Sequence, residues 1–142
     1  MADVKYLLDT NILSEPTRKL PHPGVMAGLE RHEREVCTAA PVLHEMTYGV
    51  ERMGPGRRRD HLAAFVARLL ACPLPVLPYD LRAAQWHARE RARLESLGHT
   101  PPFVDGQIAA IAATQGLTIV TRNVREFRIF AELVLEDWFE GQ

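Results

Sequence analysis

The chain predicts an α/β fold: a mainly parallel sheet of about five strands flanked by helices. Two observations carry that expectation. Strand-like apolar runs alternate with helical periodicities from one end to the other, the pattern of a parallel sheet covered on both faces. At 142 residues, with no internal repeat, low-complexity segment or long linker, the chain reads as one domain over 1–142, large enough to bury a core without staples.

The elements follow in order. "VKYLL" reads as a short buried strand that stops abruptly at Asp9, Thr10 and Asn11. "PGVMAGLERHERE" reads as a helix with Pro23 near its start, "EVCTAA" as a second strand, and "APVLHEMTYGVERM" as a helix broken by "GPG". In the next segment Leu62, Phe65, Val66, Leu69 and Leu70 recur at helical spacing. Pro73 and Pro75 end that helix, and "LPVLPY" supplies a third strand. Asp80 is placed to cap a long helix running to about Leu97, with Leu81, Ala84, Ala88 and Ala92 as its inner stripe and Gly98 as its stop. "FVDGQIAAIAATQG" is an almost continuously apolar helix, "LTIVT" a β-branched strand, and "ELVLED" a last strand.

Composition narrows the partners. Lys plus Arg number 17 against 18 Asp plus Glu, so a nucleic acid would have to meet a local basic patch rather than a basic protein. No apolar run is long enough to span a bilayer, and charges follow Met1 directly, so neither a membrane span nor a signal peptide is expected and the predicted location is cytoplasmic. Cys37 and Cys72 sit in apolar surroundings and are expected to be reduced thiols in or near the core.

An aspartate ending a buried strand is costly unless its charge is compensated. In open α/β sheets, sites form outside the carboxyl ends of the strands where strand order reverses, and Asp9 has that address. Glu45, in the helix after the second strand, Asp105, in the first turn of the helix before "LTIVT", and Asn123, just after that strand, can reach the same edge. Converging carboxylates raise one another's pKa, and a hard cation such as Mg²⁺, which prefers oxygen ligands and pairs with phosphates, removes the conflict. Each residue also has a plain structural account. Asp9 can cap the following turn, Glu45 can be solvated, Asp105 suits a helix N-terminus and Asn123 a turn.

Other chemistries lack their residues. The six histidines show no paired spacing, there is no CxxC, and "HEMTY" has Tyr48 where a zinc motif needs its second histidine. Nucleophile elbows and phosphate-cradling glycine loops are absent.

"YLLDTNILSE" resembles the opening strand of the PIN-domain nucleases, in particular the VapC and FitB-like toxins of bacterial type II toxin–antitoxin systems. "TAAPVLHEMTYGV", "DGQIAAIA" and "LTIVTRNVREF" agree with the later segments in order, so the resemblance covers about residues 4 to 138. It implies a parallel sheet of about five strands and endoribonuclease activity dependent on Mg²⁺ or Mn²⁺. The implied catalytic acids are Asp9, Glu45 and Asp105, with Asp9 and Asp105 as metal ligands and Asn11, Thr121 and Asn123 in support. Many relatives have an acid where this chain has Asn123, and often another where it has Phe103. The site is therefore less negative than usual. RNA phosphates need cations beyond the acidic pocket; the candidates are Arg122, Arg125 and the run Arg57, Arg58 and Arg59, for which a solvated surface is the competing account. The resemblance further implies a homodimer and an antitoxin that covers the pocket and supplies any DNA binding.

Two rival readings stand beside this one. A PIN domain that binds without cutting would accommodate Asn123, and an interaction protein could carry the acids incidentally. A receiver-like module would need a lysine after a late strand, whereas the only lysines are Lys5 and Lys19.

Overall fold

A computed structural model describes residues 3–140; the ends of the expected 1–142 domain lie outside them. The elements are β1 (Tyr6–Leu8), α1 (Thr10–Leu13), a 3-10 turn (Glu15–Thr17), α2 (Pro23–Arg31), β2 (Val36–Ala39), α3 (Ala40–Glu51), α4 (Arg57–Ala71) and β3 (Val76–Leu77). They continue with α5 (Leu81–Ser96), α6 (Phe103–Gln115), β4 (Thr118–Val120), α7 (Val124–Phe127) and β5 (Val134–Glu136). The five strands form one sheet in the order β3-β2-β1-β4-β5, and every pairing is parallel.

Successive strand residues face opposite sides of a sheet. Leu7 and Leu8 are both buried, as are Ile119 and Val120, so the central strands β1 and β4 are covered on both faces. The small residues of α6, Ala109, Ala110 and Ala112, are fully buried and let that helix lie close to its neighbours. Gly98 (φ 83°) and Gly116 (φ 67°) stop α5 and α6 in the left-handed conformation that glycine adopts without a Cβ penalty.

Three expectations are corrected. The inner stripe of α5 is Ala83, His87, Glu90 and Leu94, while Leu81 is 73% exposed. Two buried polar residues, His87 and Glu90, take places that hydropathy assigns to alanines. Glu90 tolerates burial because Arg93 pairs with both its oxygens at 2.7 and 2.9 Å and the Ala131 amide donates to it at 2.8 Å. Cys37 is buried, with its thiol pushed up to about 12 by desolvation, but Cys72 is exposed where the chain leaves α4. Helix α2 ends at Arg31, four residues early, because Glu35 folds back: its amide donates to the His32 carbonyl at 2.8 Å and its carboxylate meets His32 Nδ1 at 2.7 Å. Among the described residues no helix is long and apolar enough to cross a membrane.

Candidate active site

Strand order reverses at β1: the chain builds outward through β2 and β3 on one side, then returns to lay β4 and β5 on the other. The crevice at such a switch point opens between the carboxyl ends of β1 and β4. Leu8 pairs with Val120 in register, so the next residues, Asp9 and Thr121, emerge side by side.

Asp9 is 6% exposed, and both its oxygens are engaged. Oδ1 accepts from the Thr10 amide at 2.8 Å, capping α1, and Oδ2 accepts from Thr121 Oγ1 at 2.8 Å. The capping account therefore holds, and the same carboxylate also lines the cavity at the switch point. Burial raises the Asp9 pKa, the two hydrogen bonds oppose the rise, and the charge of Glu126 adds to it. Thr121 Oγ1 also accepts from the Asn123 amide at 2.9 Å, and Asn11 Oδ1 accepts from the Arg122 amide at 3.0 Å. These bonds tie the turn after β4 to the turn after β1.

Asp9, Asn11, Glu45, Asp105 and Asn123 line one cavity of about 650 Å³, with Phe103 and Pro102 on its rim. Glu45 comes from the middle of α3, and Asp105 from the first turn of α6. Among the described residues neither carboxylate has a hydrogen-bond or ion-pair partner. The Asp105 pKa is pushed up to about 6, first by desolvation and then by the charges of Asp9, Glu126 and Glu45. Four acids, Asp9, Glu45, Asp105 and Glu126, thus share one electrostatic neighbourhood. Glu126, in the short helix α7, is exposed to solvent yet acts on both Asp9 and Asp105.

The donor set fits a hard divalent cation: it offers carboxylate and amide oxygens and excess negative charge, with no thiolate or imidazole. Among the described residues no three His, Cys, Asp or Glu side chains form a ready-made cage for a metal ion.

The arginines divide. Arg58 lines a groove shared with Glu45 and Thr10, and Arg122 lies beside the acidic cavity through its bond to Asn11. Arg59 is committed to the fold, donating to the Val50 carbonyl at 3.2 Å and lying 3.7 Å from Glu51. Arg57 and Arg125 are exposed. Sequence reading missed Ser14 and Thr10 as cavity-lining hydroxyls; only the turn of α1, too short to show periodicity, brings them there.

A five-stranded parallel sheet with carboxylates clustered at its switch point defines the class by architecture: an open α/β protein with an acidic pocket at the carboxyl edge of its sheet. The chain belongs to the PIN-domain family, whose pattern matches residues 6–133. It is 34% identical over 136 residues to the tRNA(fMet)-specific endonuclease VapC of Shigella flexneri, covering 95% of this chain and 98% of that one. It is 32% identical over 140 residues to toxin FitB of Neisseria gonorrhoeae, covering 94% and 99%. The solved structure of DNA-bound VapBC from Salmonella typhimurium superposes with a TM-score of 0.81 at 30% identity, over 95% of this chain and 98% of that one. The resemblance seen in four short segments extends over nearly the whole chain.

Proposed function

We propose that this chain is a metal-dependent endoribonuclease and the toxin of a bacterial toxin–antitoxin pair. The observation that carries the reading is the convergence of Asp9, Glu45, Asp105 and Asn123 on one cavity at the switch point of the sheet. A bound Mg²⁺ or Mn²⁺ supplies Lewis acidity toward a phosphoryl oxygen and makes water a better nucleophile. Asp9 and Asp105 are the residues assigned to hold it. Asp9 is fixed in orientation by Thr121 and Thr10, so it brings a preorganised oxygen edge to the cavity. Glu45 and Asp105 have no competing partners and are free to hold the cation or to take the proton of the attacking water.

The partner proposed for the resting state is an antitoxin segment. The acidic cavity meets a groove of about 480 Å³ at Thr10, Ser14 and Glu45, and the groove is floored by Met46, Val50, Leu62 and Phe65. A peptide with apolar side chains for the groove and a basic one for the carboxylates would satisfy both. A homodimer and a cytoplasmic location, where RNA is the available substrate, complete the reading; DNA is approached only through the antitoxin.

The test is a cleavage assay on RNA, with tRNA as the first substrate because two curated relatives bear that specificity in their names. Cleavage is expected with Mg²⁺ or Mn²⁺, none with EDTA, and at least about a hundredfold less with Asp9→Asn, Glu45→Gln or Asp105→Asn. Full activity in Asp9→Asn would overturn the site. A wild type that binds RNA without cutting it would leave the binding-module reading, which Asn123 favours.

A further inference from the structure

A second cavity, of about 500 Å³, lies beyond Asn11 from the acidic one and is lined by Glu15, Arg18, Leu20, His22, Arg122 and Phe139, among others. Its charges are unevenly matched. Glu15 is 3% exposed and fully occupied: Oε2 accepts from the His22 amide at 2.7 Å, and Oε1 lies 3.7 Å from Arg18. Arg122 is different, since among the described residues no carboxylate pairs with its guanidinium. That group instead sits over the Phe139 ring, 4.4 Å from its centroid, while the opposite side of the residue is pinned by its amide bond to Asn11. The Phe139 ring is itself held by His22, with centroids 5.1 Å apart. An unpaired guanidinium docked on an aromatic face and anchored at its backbone has lost most of its freedom before any ligand arrives. Arginine in that state presents a rigid fork matched to phosphate.

We infer that Arg122, seated on Phe139, is a phosphate clamp for the RNA strand, taking a backbone phosphate neighbouring the scissile one. The inference rests on the endoribonuclease reading and extends it by naming the path of the strand. From the Asp9 cavity it crosses Asn11 into the cavity of Arg18 and Arg122. Asn11 touches both places, lining the first and accepting the Arg122 amide. Arg122 is a positioning residue, not a catalytic one: it acts on a phosphate away from the reacting atoms.

The experiment measures binding of a fluorescein-labelled single-stranded oligoribonucleotide to the Asp9→Asn protein by anisotropy across a salt series, alongside cleavage kinetics in the otherwise wild-type chain. Arg122→Gln is expected to raise Kd and KM about tenfold and leave kcat within about twofold. It should also lower the salt slope by about 0.7, the loss of one phosphate contact on a single strand. Arg122→Lys should recover the slope but not the full affinity, because charge returns without the fork. Phe139→Leu should weaken binding in the same direction while Arg122 remains. Unchanged Kd and slope in Arg122→Gln would overturn the clamp and leave the nuclease reading standing. So would a loss confined to kcat, or a loss confined to affinity for an antitoxin peptide. A wild-type protein that cuts no RNA, with the clamp's salt signature intact, would sink the nuclease reading instead.

Discussion

Thr121 Oγ1 donates to Asp9 Oδ2 at 2.8 Å across a separation of 112 residues, and the same oxygen accepts the Asn123 amide at 2.9 Å. The parallel register of β1 and β4, with Leu8 opposite Val120, is what brings the two together. Thr121 is fully buried, so its bond to Asp9 is shielded from water, while the bond from the exposed Asn123 is only partly buried.

Thr121→Val conserves shape and removes both bonds. It is expected to destabilise the protein by about 1–3 kcal/mol, because the Asn123 amide and one Asp9 oxygen lose a buried partner. One of the two influences holding the Asp9 pKa down also disappears, so metal-dependent cleavage should need higher pH. Denaturant unfolding and a pH–rate profile check the two effects separately. Thr121→Ser, which restores the hydroxyl, should rescue the profile.

Asp105 makes the metal-free protein pH-sensitive with a sign opposite to a salt-bridged acid. An unfolded aspartate titrates near 3.8, whereas in the fold Asp105 keeps its proton up to about 6. Between those values the folded state binds more protons, so stability is highest below about 4 on this account and is lost as pH rises through 6. Asp9 moves in the same direction. Glu90, lowered chiefly by Arg93, acts oppositely at the acid end. Comparison with Asp105→Asn therefore isolates the effect. In EDTA the variant should gain up to about 2 kcal/mol over wild type at pH 7.5, allowing for solvent screening of a partly exposed group, and little at pH 4. An equal gain at both pH values would refute the electrostatic origin.

The fold was legible because apolar runs of strand length and helical periodicities alternate without ambiguity, and parallel pairing follows from that alternation. The address of the site was legible too, since Asp9 closes a strand that must be buried. What hydropathy could not show is the α5 interface. His87 and Glu90 face inward only because Tyr79, Arg93 and the Ala131 amide satisfy them, and those partners lie 3 to 41 residues away. The candidate arginines were undivided in sequence for the same reason. Arg59 and Arg58 are neighbours in the chain, yet one ties α4 to α3 and the other lines a groove.

Gly106 follows from that hidden interface. A Cβ at Gly106 would lie 2.1 Å from His87 Nε2 and 2.6 Å from Cδ2. The His87 ring is held by Tyr79 Oη at 2.8 Å from Nδ1, so it cannot yield freely. Gly106→Ala is expected to cost about 1–3 kcal/mol by overpacking and to displace the first turn of α6, which carries Asp105. Cleavage should fall with it. Adding His87→Ala should relieve the clash, so the double variant should be more stable than the sum of the single costs predicts. Additive costs would show that the close approach is not the cause.

Asn123 and Glu126 are the positions at which the proposed cation site is tested by charge. Asn123 lines the acidic cavity and offers a carbonyl oxygen without charge, where an aspartate would add a fourth carboxylate to it. Asn123→Asp is expected to tighten Mg²⁺ binding by about tenfold, since ligand charge tunes the affinity of oxygen sites. It should also lower the melting temperature in EDTA, because one more negative charge then faces Asp9 and Asp105 unopposed. Glu126 raises the pKa of both aspartates from α7. Glu126→Gln should therefore raise the metal-free melting temperature, and it should weaken Mg²⁺ binding slightly through the lost charge, and markedly if Glu126 reaches the cation through a water. Calorimetric titration with Mg²⁺ and melting with and without EDTA separate these effects. An Asn123→Asp protein with unaltered Mg²⁺ affinity would place position 123 outside the coordination sphere despite its place in the cavity wall.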